Sequence, residues 1–149
     1  MNTAAIPRWE RERRWLGYAG LVPFLACLAV ILAAAPQAWV GPAVDLLRHY
    51  AALIASFLGA VHWGAAAAVD DGRQRARLRW GVTPALIAWT LLALPAQYAL
   101  AGFAVLFVLI LAVDRYLLPV LDDSYRRLRL RLTAVVVTAL AAAALATRA

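Results

Sequence analysis

The stretch RERRWLGYAGLVPFLACLAVILAAA, residues 11–35, decides the fold, because a dense arginine cluster gives way at Trp15 to an unbroken apolar run. A bilayer core of about 30 Å is crossed by about 20 apolar helical residues, so this run is long enough for one crossing. It also exceeds the roughly 7–15 apolar residues of a cleavable signal peptide, and further apolar runs follow it. We therefore interpret it as a first transmembrane segment rather than a cleaved leader.

The same alternation of arginine clusters and apolar runs continues along the chain. All 15 basic residues are arginines, and all but Arg48 and Arg148 lie in three clusters, within residues 8–14, 73–79 and 115–131. The predicted membrane segments are 15–35, 46–69, 80–94, 98–118 and 132–147. Arginine concentrated beside alternate segment ends is the positive-inside pattern of a multi-pass membrane protein. It predicts a bacterial inner-membrane location, with the N-terminus cytoplasmic and the C-terminus periplasmic.

The composition excludes an ordinary soluble domain. The 149 residues are 65% hydrophobic and 15% charged, whereas soluble domains are roughly half apolar and about a quarter charged. Lipid must cover the excess apolar surface, so we expect an all-α bundle of five transmembrane helices forming a single domain, residues 1–149. The net charge of +7 then indicates contact with anionic lipid headgroups, and we expect the lipid bilayer, not nucleic acid, as the partner.

Small residues predict where two of the segments pack. In segment two, small side chains recur every fourth residue, at Ala52, Ser56, Ala60, Gly64 and Ala68, and Gly59 lies beside them. In segment five, a similar stripe comprises Ala134, Thr138, Ala142 and Ala146. Such stripes let two helix backbones approach closely. We therefore predict a packing seam at Ser56, Gly59, Ala60 and Gly64, and a pairing of segment two with segment five.

Two prolines and a helix cap predict local features. Pro23 and Pro84 each follow a glycine by three residues, in a stretch preceded by an Arg-Trp pair, and each is expected to kink or open its helix. The similar surroundings suggest a repeated helical hairpin, although a match this short also arises by chance in an alanine-rich chain. Asp122 and the two residues after it are expected to cap a short helix that leads into segment five.

A polar layer is predicted near the cytoplasmic ends of the segments. Ionisable side chains within membrane segments are costly and are functional candidates by default. At 1.5 Å per residue, His62 and Asp114 both lie about 24 Å from the outer ends of their segments. Thr83 lies one turn into segment three from the same side, and Trp63 adjoins His62. We expect His62, Trp63, Thr83 and Asp114 to form a candidate ligand or partner site, which either locks helices together, relays a proton or binds a quinone headgroup.

The motifs of common enzymes and cofactor sites are missing from the sequence. There is no HExxH, CxxC, GxGxxG or GxSxG. His49 and His62 lie about 20 Å apart along one helix, so the two together cannot ligate one haem iron in a monomer. We therefore expect no catalytic residues, no cofactor and no metal site.

The run 50–64, YAALIASFLGAVHWG, resembles a family of small multi-pass membrane proteins of unknown function. The opening LGYAGLVPF, residues 16–24, and the closing YRRLR, residues 125–129, are similar to the same family. The family is common in proteobacteria and includes mitochondrial transmembrane protein 69. The resemblance implies five spans and a mitochondrial inner-membrane relative, but no reaction. It favours a salt bridge from a basic residue at position 62, beside Trp63, to Asp114. A proton relay through His62 is then less favoured.

Three functional hypotheses follow. The first is a non-enzymatic accessory or assembly protein of a larger membrane complex, possessing a membrane-protein partner or forming a homo-oligomer. The alternative is a small transporter or a quinone- or lipid-binding protein that uses the His62–Asp114 layer, and an integral membrane enzyme is a third reading.

Overall fold

The computed structural model describes residues 8–33, 36–118 and 122–148, and the regular secondary structure in these ranges is all helical. The helices are α1 Arg8–Ala19, α2 Val22–Leu32, α3 Gln37–Ala68, α4 Gln74–Leu92, α5 Ala96–Leu117 and α6 Asp123–Ala146. Four stretches are long and apolar enough to cross a membrane, namely Arg8–Leu32, Gln37–Ala68, Ala96–Leu117 and Asp123–Ala146. The 19-residue α4 is less apolar because its first two turns carry three arginines. The described chain thus holds four to five helices suited to a bilayer.

The predicted segments match the apolar parts of these helices and differ from them at the ends. Segments two, three and five begin at residues 46, 80 and 132 by hydropathy, whereas α3, α4 and α6 begin at residues 37, 74 and 123. Each helix therefore begins before the apolar run that hydropathy locates. Residues 34–35, at the predicted end of segment one, lie outside the described ranges. Asp122 caps α6 as expected, since its side chain accepts a hydrogen bond from the Tyr125 backbone N–H.

The first membrane segment is broken into α1 and α2 next to Pro23. In a regular helix the proline ring would clash with the carbonyl of residue 19, and proline has no backbone N–H to donate to that carbonyl. The Tyr50 hydroxyl donates to the freed Gly20 carbonyl at 3.1 Å, as a break at membrane depth requires. By contrast, α4 continues through Pro84 without interruption.

The core lies around α5, which packs against α3, α4 and α6. Its inward face buries an apolar row: Leu100, Phe103, Leu106, Phe107 and Ile110. On one side α4 bridges α3 and α5, and on the other α2 bridges α3 and α6. Phe24 of α2 reaches this core and meets the rings of Tyr50 and Phe107 edge-on, with centroids 5.0 and 6.0 Å away.

Helices α3 and α4 approach each other closely at Gly59. A methyl group placed on Gly59 would lie 2.7 Å from the Gly81 carbonyl oxygen and 3.2 Å from the Pro84 ring. The predicted pairing of segments two and five is wrong, because α3 packs mainly on α4 and α6 mainly on α5. The α6 stripe lies at its surface, and the buried face of that helix comprises Thr133, Val136, Ala139, Leu140, Ala143 and Ala144.

Arginines tie together the end of the bundle where the three clusters meet, which we call the arginine-rich end. Arg77 donates from Nε to the Leu117 carbonyl at 2.8 Å, and Arg73 donates to the Tyr116 carbonyl at 2.7 Å. Both carbonyls belong to the last turn of α5, whose C-terminal oxygens lack helical partners. At the opposite end, Arg48 donates in the same way to carbonyls at the end of α4.

We expect Gly59→Ala to destabilise the protein and Gly64→Ala, its matched control, to be neutral or slightly stabilising. The Gly59 methyl would meet backbone atoms that cannot give way, at a cost of about 1–3 kcal/mol. A methyl on Gly64 meets nothing within 4 Å, and alanine favours helix by up to about 1 kcal/mol. Thermal unfolding in detergent measures both. Equal melting temperatures for the two variants would contradict close α3–α4 packing.

Candidate functional site: a buried His-Asp-Arg layer

Three helices bring one ionisable side chain each to the arginine-rich end. His62 of α3 and Asp114 of α5 are 0% and 5% exposed, and the side chain of Arg129 on α6 is 11% exposed. The His62 Nε2 atom lies 3.4 Å from Asp114 Oδ1. Arg129 donates from Nε to Asp114 Oδ2 at 3.0 Å and from a terminal nitrogen to the same oxygen. We call these three side chains the polar layer.

Helix periodicity explains why the three side chains point inward. On α3, His62 follows the buried Ala55 and Gly59 at seven and three residues, which is one helix face. On α5, Asp114 follows the buried Ile110 by four residues. On α6, Arg129 precedes the buried Thr133 by four residues. Each side chain therefore continues the apolar face of its helix into the polar layer.

Both nitrogens of the His62 ring face oxygen atoms. Nδ1 lies 3.3 Å from the Gly59 carbonyl oxygen, and Nε2 faces Asp114. The ring also meets Trp80 of α4 edge-on, with centroids 6.5 Å apart. Contacts with α3, α4 and α5 thus hold the His62 ring in place. Asp114 contacts both His62 of α3 and Arg129 of α6, and so links these two helices.

On the side where Asp114 and Arg129 meet, the polar layer leaves little space for a ligand. The cavity next to Asp114 and Arg129 has a volume of about 20 Å³. That volume is about what one water molecule occupies by this measure. A quinone headgroup does not fit there, so the arrangement is suited to holding helices together.

The other two predicted site residues lie outside the polar layer. Thr83 donates its hydroxyl to the Arg79 carbonyl of its own helix at 2.9 Å. Trp63 is 52% exposed and donates its indole N–H to the Leu78 carbonyl at 3.1 Å. Its indole lies directly over Gly81, where a side chain would collide with it. Trp63 therefore fastens α3 to α4.

The predicted small-residue seam divides between two faces of α3. Gly59 is buried against α4, and Ser56 is partly buried and donates its hydroxyl to the Ala52 carbonyl. Ala60 and Gly64 are exposed. The actual inward face comprises Ala51, Ala52, Ala55, Gly59 and His62.

Sequence reasoning missed two buried arginines. Arg129 was placed at the lipid headgroups with its cluster, and Arg77 was counted only as part of the second cluster. Arg77 is 1% exposed, and its two terminal nitrogens donate to the two oxygens of Asp71 at 2.7 and 2.6 Å. The burial of Arg77 has a signal in the sequence, because Arg77 precedes the buried Gly81 and Pro84 by four and seven residues and so lies on the same helix face.

A family model described as a protein of unknown function, DUF3429, matches residues 9–145. The chain belongs to the DUF3429 family. No curated protein and no solved structure matches the chain. The match covers all six helices apart from one residue at each end, and the kinship with proteobacterial proteins and mitochondrial transmembrane protein 69 stays a prediction.

We expect Asp114→Asn to destabilise the protein by about 3–5 kcal/mol, because it leaves the Arg129 charge buried without a counterion. Arg129→Gln should cost a similar amount, and the double variant should cost less than the sum of the two. Asp123→Asn, at an exposed position on α6, is the control for loss of one carboxylate. Chemical unfolding in detergent measures these costs, and additive costs would show that the two groups are not coupled.

The Asp71–Arg77 pair should make stability depend on pH. Hydrogen bonds from Arg77 lower the pKa of Asp71 below its ordinary value, against the opposing effect of partial burial. A lowered pKa stabilises the folded state above the ordinary aspartate pKa of about 4, and this stabilisation is lost as the pH falls through the lowered value. The melting temperature of Asp71→Asn should therefore lie below that of wild type at pH 7, and the gap should close in acid. Asp70→Asn is the control for loss of one carboxylate in the same loop, and it should lower the melting temperature less at pH 7, because the Asp70 carboxylate accepts from the neutral Gln74 amide.

Proposed function

We propose that this protein is a non-enzymatic accessory or assembly component of a larger bacterial inner-membrane complex, with respiratory complexes the first to examine. In this proposal the arginine-rich end faces the cytoplasm, because cytoplasmic loops carry the excess of arginine in membrane proteins. The N-terminus is then cytoplasmic and the C-terminus periplasmic. The polar layer holds the bundle in one shape, and a partner membrane helix binds at the side of that bundle.

The observation that carries the proposal is a groove in the side of the bundle, of about 600 Å³. Its lining comes mainly from α3 and α6, with further residues from α1, α2 and α5. The lining is largely apolar, and it includes Leu16 and Phe57, which are 67% and 65% exposed. Large apolar side chains at the lip of an open groove fit the apolar stripe of a partner helix.

The exposed small residues of α3 extend this groove. Phe57 and Val61 line it, and Gly64 follows Val61 by three residues on the same helix face. Ala60 and Gly64 are exposed, with open space around Gly64. A second helix backbone can approach closely at such positions. Of the small residues predicted as a packing seam, Ala60 and Gly64 are thus suited to contact a helix from another chain.

A second candidate function is the binding of a quinone or lipid tail in the same groove, alone or as part of transport. The groove volume lies within the roughly 300–1,000 Å³ of small-molecule sites. Arg129 lines the groove and also bonds Asp114, so the polar layer borders the groove. Against this candidate, the groove is open along one side, whereas small-molecule sites enclose most of their ligand.

A photo-crosslinking residue at position 57, introduced in the native membrane, tests the proposal. We expect it to give one crosslinked protein that also copurifies in fixed stoichiometry, with the crosslink mapping to a transmembrane helix of that protein. Position 86 of α4 is the matched control, because Leu86 is 62% exposed and does not line the groove.

The outcomes separate the candidate functions. Crosslinking from position 57 to a quinone or lipid, with no copurifying protein, would establish the second candidate. Crosslinking to a second copy of this chain would make the partner a homo-oligomer. Equal protein crosslinks from positions 57 and 86 would reject the groove as a docking site.

A further inference from the structure

On another face of α1 and α6, arginines from both helices converge on a second depression. Its lining is Arg14, Tyr18, Ser124, Arg127, Leu128 and Arg131, and its volume is about 230 Å³. We call it the basic cleft. We propose that the basic cleft binds the phosphate headgroup of one anionic phospholipid, which fastens α1 to α6.

The charge of the basic cleft is only partly offset by nearby carboxylates, none of which lines the cleft. Arg127 and Arg131 lie one turn apart on α6, where like charges repel, and Arg14 faces them from α1. None of the three makes an ion pair or hydrogen bond within the described residues, and no carboxylate lines the cleft. Three guanidinium groups around one depression favour a phosphate, which they bind in forked pairs of hydrogen bonds.

The carboxylates at the edge of the cleft are already engaged. Glu10 accepts the Ser124 hydroxyl at 2.7 Å. Asp122, which Arg127 also attracts, caps α6 and lies 3.5 Å from a terminal nitrogen of Arg13. Neither carboxylate forms a hydrogen bond or ion pair with any of the three cleft arginines, so their charge remains available to an anion.

The position of the cleft identifies the anion as a lipid headgroup. Trp9 and Trp15 of α1 are 58% and 73% exposed, and exposed tryptophan is enriched at the membrane interface. On α6, Val135 lies one turn beyond Arg131 and is exposed, and Val22, the first residue of α2 after the break, is exposed as well. The acyl chains of a lipid whose phosphate lies in the cleft can therefore lie on this apolar surface.

A bound lipid would strengthen a weak contact in the bundle. No residue of α1 is buried, and α1 packs mainly against α6. Gly17 lies against Leu132, and Arg13 lies 5.2 Å from the Tyr125 ring centroid. A headgroup bonded to Arg14 on one helix and to Arg127 and Arg131 on the other would cross-link the two.

Native mass spectrometry and thermal unfolding in detergent, with added phosphatidylglycerol, test the proposal. We expect a one-to-one lipid adduct and a higher melting temperature, and neither with phosphatidylcholine. The variant Arg14→Gln, Arg127→Gln, Arg131→Gln should bind phosphatidylglycerol at least about tenfold more weakly, since hydrogen bonds to charged groups are lost. The control Arg11→Gln, Arg75→Gln, Arg79→Gln removes the same charge from exposed positions elsewhere and should bind as wild type does.

Other outcomes would overturn the inference. Equal loss of binding in the two triple variants would indicate general attraction to anionic lipid, and equal binding of phosphatidylcholine would exclude recognition of headgroup charge. A melting shift reproduced by inorganic phosphate alone, without a lipid adduct, would reject a lipid in favour of a soluble anion.

A second variant covers the case in which the glutamine variant does not fold. Lysine at the three positions keeps the charge and loses the forked hydrogen bonds, so it should fold and still bind phosphatidylglycerol more weakly than wild type. Binding at wild-type strength would count against a built phosphate site. None of the three arginines lines the groove, so this inference and the proposed function fail separately.

Discussion

The pairing of Asp114 with His62 and Arg129 is the contact on which the arrangement of the bundle depends. A carboxylate 5% exposed at the end of a membrane helix is costly unless cations reach it. Because His62 supplies one contact, the rotation of α3 about its axis is set. That rotation places Gly59 against α4 and turns Phe57 and Val61 towards the groove. The face of α3 that carries His62 and Gly59 therefore packs inside, and the face that carries Phe57 and Val61 remains open.

The backbone imposes the complementary constraint, since carbonyls at helix C-termini have no partner within their own helix. This protein meets it with arginine side chains that reach across from neighbouring helices. Arg73 and Arg77 donate hydrogen bonds to carbonyls at the end of α5, and Arg48 donates to a carbonyl at the end of α4. The positive guanidinium also suits the negative end of the helix dipole. Arginines that sequence patterning assigns only to membrane orientation thus hold the loops and helix ends in place.

Hydropathy was enough to locate the apolar helices and to predict that His62 and Asp114 lie at one depth, because both depend on local sequence and helix rise. It was not enough to predict which helices pack against each other. The pairing of α3 with α6 was wrong, since a small-residue stripe permits close approach but does not say which helix approaches. Arg129 was missed because a charged residue next to a membrane segment resembles its solvated neighbours. Only the spacing from Thr133 distinguishes it, and that spacing becomes informative once the buried face of α6 is known.

The attachment of α1 has a consequence for the order of assembly during synthesis. Glu10 bonds Ser124 across 114 positions of sequence, and Gly17 rests on Leu132. These partners do not exist until the ribosome has made almost the whole chain, whereas α2 can already pack on α3. Because the first segment is broken at Gly20, α2 can pack on α3 before α1 packs on α6. The bundle is therefore closed by its first helix only after its last helix has been made.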